Sequence, residues 1–112
     1  MNDVADHHDS DKPRYSLLPR RALAEVVFVM EHGAAKYAPN NYLLGNGLDP
    51  GRLWDSAQRH LWAIHTEDEM LDGESALSHW AHAAADCLMA LEVIKKRTQA
   101  TTGESDDLAR QR

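Results

Sequence analysis

"ESALSHWAHAAADCLMALE", residues 74–92, is the stretch whose reading decides the fold. An α-helix advances about 100° per residue, so His79, His82 and Asp86 fall within an arc of roughly 60°. Leu77, Trp80, Ala84, Leu88, Leu91 and Ile94 occupy the broadly opposite face. The side that carries the polar trio continues through Ala83, Ala90 and Val93, and no Lys, Arg or Gln lies between residues 76 and 91. A helix apolar almost all round is a buried helix. Its His/Asp stripe then faces the interior or a cleft, where imidazoles and carboxylates need partners. A divalent metal with a bound anion is one answer. Mutual hydrogen bonding is the other.

Two further helices complete an all-α expectation. The first starts at Pro19, a favoured first-turn residue. Leu23, Val26, Val27, Met30 and Ala34 recur on one helical face, with Gly33 as a stop or bend near the end. The second runs from about Arg52 to Thr66, with Trp54, Ala57, Leu61 and Ile64 as its stripe and Arg59 and His60 beside it. Helix three begins near Ser75 and closes at Lys95, Lys96 and Arg97, a cationic end that complements the helix dipole. Between the first two helices, residues 36–51 hold two Pro, three Gly and three Asn and read as a long loop. Long loops are often functional. Nothing alternates convincingly enough to predict a sheet.

Residues 1–11 and 99–112 are polar and aperiodic and read as disordered tails, leaving a domain at 12–98. A domain of about 87 residues buries a modest share of its surface, so self-association into a homo-oligomer is expected. Trp54, Trp62 and Trp80 are many tryptophans for so small a core, and at least one suits a subunit contact. The net charge of −6 gives no basic footprint for duplex DNA or an anionic membrane. A single cysteine, Cys87, rules out an internal disulfide and fits a reducing compartment. No signal peptide or membrane-length apolar run is visible, so a soluble, cytoplasmic protein is expected.

Several residues are candidates for chemistry. The connector "EDEMLDGES", residues 67–75, carries Glu67, Asp68, Glu69, Asp72 and Glu74 immediately before the His/Asp stripe. Glu69, Asp72 and Glu74 suit hard oxygen ligation of Mg²⁺ or Mn²⁺, or equally a solvated loop at a helix start, where Asp72 or Ser75 caps helix three. In "GAAKYAPNNY", Lys36 can meet phosphate, Tyr37 or Tyr42 can stack on a base, and Asn40 or Asn41 can read its edge. The same segment is also an ordinary helix end followed by an asparagine turn. Lys12 and Arg14 flank Pro13 in a segment able to fold back over the core.

"KPRYSLLP", "GAAKYAPNNY", "RHLWA", "DGES" and "LSHWAHAAADCLMALE" occur in this order. Together they resemble the phage dATP/dGTP diphosphohydrolase N-terminal family, which is linked to the MazG-like all-α nucleotide pyrophosphohydrolases. The resemblance spans about residues 12–92. It implies conversion of a purine dNTP to dNMP and pyrophosphate with Mg²⁺ or Mn²⁺. In phages that replace adenine by 2-aminoadenine it implies a supply of dGMP. The implied site holds Lys12, Arg14, Lys36, Tyr37 and Asn41 on the substrate. Arg59, His60 and His79 take the catalytic roles, one imidazole serving as general base. Glu69, Asp72, Glu74, His82 and Asp86 face the metal. The chain departs from the family pattern at Asp68 and Ala76, where glycine is usual. The spacing after "RHLWA" is one residue longer. HxxH and HxxxD stand where ExxD is expected.

Two rival readings remain. The His/Asp stripe could be a polar specificity device buried at the seam of a non-catalytic helical dimerisation module. An HD-type nucleotidase would need an adjacent His-Asp pair inside the fold, and His8-Asp9 lies in the expected tail.

Overall fold

The computed structural model describes residues 11–102. Three helices carry the fold: α1 (Arg20–Lys36), α2 (Pro50–His65) and α3 (His79–Thr102). Single 3-10 turns at Tyr15–Leu17 and Asn41–Leu43 precede α1 and interrupt the long loop. Among the described residues there is no strand, only an isolated bridge between Leu71 and Ser78. The all-α expectation holds. The tail readings lie outside the described residues, except for Asp11 and for residues 99–102, which belong to α3. No described helix is long and apolar enough to cross a membrane.

The helix ends follow local chemistry. Asp49 caps α2, its carboxylate accepting from Gly51 N at 3.2 Å, and Pro50 occupies the first helical position. Gly33 does not stop α1, which runs on to Lys36 and ends just before Pro39. Neither Asp72 nor Ser75 caps α3. Asp72 instead folds its own loop, with Oδ2 accepting from Glu74 N and Ser75 N at 3.1 and 2.9 Å. Ala76 turns left-handed at φ 63°, and the chain becomes helical only after Ser78. Ser78 Oγ accepts from Trp80 N, and Ser78 N donates to Glu25 on α1 at 2.7 Å.

α2 and α3 form the main seam. They run antiparallel: His60 meets His79 and His82, while the segment before α2 lies against Val93 and Lys96. α1 closes the core by packing Val26 and Val29 against Ala81 and Ala85. Ala57, Ala63, Ala81, Ala83 and Ala85 are all buried, and small side chains at a contact let helices approach closely.

The expected apolar stripes need correcting. In α1 the buried residues are Val26 and Val29, while Leu23 and Val27 are exposed. In α2 Leu53, Ala57 and Ala63 are buried and Trp54 is exposed. In α3 the side bearing His79 and Asp86 is buried, as expected, but the opposite face of Trp80, Leu88, Leu91 and Ile94 is exposed rather than covered. The physical reason is common to all three. Each helix is apolar over more than one stripe, and three helices can cover only one stripe each.

Candidate functional site

The polar stripe of α3 faces inward onto α2. His79 and Asp86 are 5% and 8% exposed, in a helix whose leucines point outward. His60 of α2 completes the cluster. Its ring stacks on His82 at 4.5 Å between centroids, and its Nδ1 lies 2.8 Å from Nδ1 of His79. Glu69 Oε1 holds the other nitrogen of His79 at 3.2 Å. Ser75 Oγ lies 2.6 Å from His82 Nε2, and Asp72 Oδ2 stands 3.8 Å from the same nitrogen.

Burial and neighbouring imidazoles drive His60 from the ordinary 6.5 down to about 4. Burial also lowers His82, against the opposing pull of Asp72. Burial alone would raise Asp72, but hydrogen bonds from Ser75 outweigh it and the carboxyl ends below its usual range. Both imidazoles are therefore neutral at pH 7 and Asp72 is ionised. For His60 and Asp72 those are the states that metal ligation requires. One ligand atom from each of His60, Asp72 and His79 comes within 4.8 Å of the others. The donor set, two imidazoles and one carboxylate, fits a divalent ion.

A cleft of about 540 Å³ opens beside this cluster. Of the residues expected at the site, Lys36, Tyr37, Asn41, Arg59, His60, Asp72, Glu74, His82 and Asp86 line it. His79 and Glu69 sit behind His60 as its partner and that partner's partner. Lys12 and Arg14 are exposed and do not line the cleft. Glu74 pairs at the rim with Lys36 at 3.1 Å and His32 at 3.3 Å. Its contact with Glu74 raises the Lys36 ammonium above its ordinary value.

Sequence reading missed Arg52, Ser56 and His32, which also line the cleft. A signal existed. Arg52, Ser56 and His60 are spaced four apart on α2, and His32 precedes Lys36 by four on α1, so each set shares a face.

The class so defined is a small all-helical protein whose cleft sets imidazoles and carboxylates against the cations Lys36, Arg52 and Arg59. The chain belongs to the dATP/dGTP diphosphohydrolase, N-terminal, family, whose family model matches residues 2–103. That match bears out the resemblance carried by the five ordered motifs, and the family's name makes the general kind nucleotide hydrolase. No curated protein and no solved structure matches the chain.

Proposed function

We propose that the protein hydrolyses purine deoxynucleoside triphosphates, dGTP and dATP, to the monophosphate and pyrophosphate in phage nucleotide metabolism in the host cytoplasm. The observation that carries this reading is one cleft bordered by both a His/carboxylate ligand group and three cations, in a chain of this family.

His60, Asp72 and His79 would hold the metal, Mg²⁺ or Mn²⁺. As ligands, His60 and His79 are not free to serve as the general base. Glu69 orients His79 from behind, as carboxylates commonly do for ligating imidazoles. When bound, such an ion neutralises phosphate charge and acidifies water. Lys36, Arg52 and Arg59 take the triphosphate oxygens, and their charge matters most where negative charge develops during attack. Water adds to the α-phosphorus, the bond from that phosphorus to the bridging oxygen breaks, and pyrophosphate leaves. His82, neutral and paired with Ser75, accepts the proton that water gives up.

The exposed Trp54, Trp62 and Trp80, with Leu88, Leu91 and Ile94, support self-association. Light scattering at micromolar concentration is expected to give a mass above that of one chain.

The function is tested by incubating the purified protein with each common dNTP and NTP, with and without Mn²⁺, and separating monophosphate from diphosphate. Metal-dependent dGMP or dAMP with pyrophosphate is the expected product. No turnover of any nucleotide would favour the dimerisation module instead.

A further inference from the structure

The cleft is lined by apolar as well as polar side chains. Val29 and Met30 of α1, Leu53 of α2 and Met89 of α3 contribute to its wall, and Asp86 stands on α3 one turn before Met89. Asp86 is 8% exposed, and its Oδ2 has no hydrogen-bond partner among the described residues. Burial pushes this carboxyl up, and the opposing pull of Ser56 and Arg59 compensates only in part. Buried acceptors are rarely left without a donor, and one in a ligand cleft asks what supplies it. Asp86 lies outside the group formed by His60, Asp72 and His79. It is seven residues beyond His79, about 10 Å along the helix, roughly the span of a deoxyribose and its base.

We propose that Asp86 reads the base, its carboxylate accepting N1–H and N2–H of guanine, so that the protein favours dGTP over dATP. This rests on the nucleotide-hydrolase reading and names the specificity residue within it. The chemistry is a matter of donors and acceptors. Guanine presents two adjacent donors, N1–H and the N2 amino group, to the two oxygens of a carboxylate. Adenine presents an N1 lone pair beside one N6 donor, which sets a lone pair against an anion. The apolar walls suit a purine's faces, and a few placed polar groups in an apolar pocket are the usual basis of orientation and choice. A site built to hydrogen-bond a substrate group strongly rejects an analogue that lacks it.

Asp86→Asn separates the possibilities, because an amide donates to adenine N1 and accepts from N6. The experiment compares kcat/KM for dGTP, dITP and dATP in wild type and Asp86→Asn. Calorimetry without metal measures dGMP and dAMP binding to the same proteins. Wild type should favour dGTP over dATP by about tenfold or more, with dITP, which lacks the N2 amino group, in between. Asp86→Asn should lose about tenfold on dGTP and gain on dATP, inverting the order in both turnover and binding. An equal loss on all three nucleotides would assign Asp86 to the metal or the core and overturn the proposal. If Asp86→Asn does not fold, the wild-type comparison decides, and dITP turned over as well as dGTP overturns it. Should no triphosphate be hydrolysed, the parent reading fails, while preference for dGMP over dAMP still decides the base assignment.

Discussion

His60 and His79 meet Nδ1 to Nδ1 at 2.8 Å across the antiparallel α2/α3 seam. Two imidazole nitrogens can share such a contact only if one donates, or if a cation takes both lone pairs. Glu69, accepting at Nε2 of His79, favours the tautomer whose Nδ1 lone pair points toward His60. The expected consequence concerns metal affinity. Glu69→Ala should weaken Mn²⁺ binding about 10- to 100-fold, read from the shift of Tm with added Mn²⁺, because the ligand's orientation is lost. Asp72→Ala should abolish the shift. An Mn²⁺ response in Glu69→Ala identical to wild type would remove Glu69 from the site.

The pH dependence of the metal-free protein follows from the same cluster. His60 has a folded pKa of about 4, against 6.5 for the free side chain. The unfolded chain therefore takes up its proton first as pH falls. A depressed folded pKa means the contribution is complete above about 6.5 and is lost progressively as pH falls toward about 4. His82 acts in the same direction. Thermal melts of metal-free protein between pH 8 and pH 4 should show Tm falling below pH 6.5, with a shallower fall in His60→Asn. Parallel slopes for the two proteins would contradict the assignment.

Ala76 carries a backbone cost. Its φ of 63° lies in the left-handed region, where a Cβ is unfavourable, and its N–H is fixed by a 2.8 Å bond to Asp72 O. Glycine there relieves the strain at the expense of unfolded-state entropy. Ala76→Gly should stabilise the fold by up to about 1 kcal/mol in urea unfolding, with the midpoint moving up at unchanged slope. A lower midpoint would show that the left-handed turn is not retained in solution.

Sequence legibility differed by element, for physical reasons. The inward His79/Asp86 stripe was readable because no Lys, Arg or Gln lies between residues 76 and 91, so the polar side had to face something other than water. Asp68 and Ala76, the two positions where the family resemblance expects glycine, both have positive φ, so the resemblance marked the special backbone of the connector. The buried stripes were less legible. Helical periodicity cannot choose among several apolar faces of Val, Leu and Trp when alanines pack the seam. His32 and Glu69 took their partners from tertiary approach, across 42 and 10 residues, and no local spacing announces that.

The loop that brings Asn40, Asn41 and Tyr42 to the cleft is fastened to the far end of α3. Lys96 Nζ donates to Leu43 O at 2.6 Å, and Arg97 Nε donates to Asn46 O at 2.8 Å. Gly47 lies against Val93, a fully buried side chain; a Cβ at residue 47 would sit 2.8 Å from Val93 Cγ1. Val93 is β-branched and stiff, so it cannot swing aside without leaving its rotamer. The φ of 87° at Gly47 disfavours any other residue as well. Gly47→Ala should therefore lift the loop and lower stability by about 1–3 kcal/mol, through overpacking and left-handed strain together. Lys96→Ala removes one exposed anchor and should leave Tm nearly unchanged. If the loop positions substrate, Lys96→Ala should raise KM severalfold with kcat preserved, and Lys96→Arg should recover most of the loss. Unchanged KM in Lys96→Ala, with Gly47→Ala as stable as wild type, would show that this clasp neither fixes the loop nor serves the cleft.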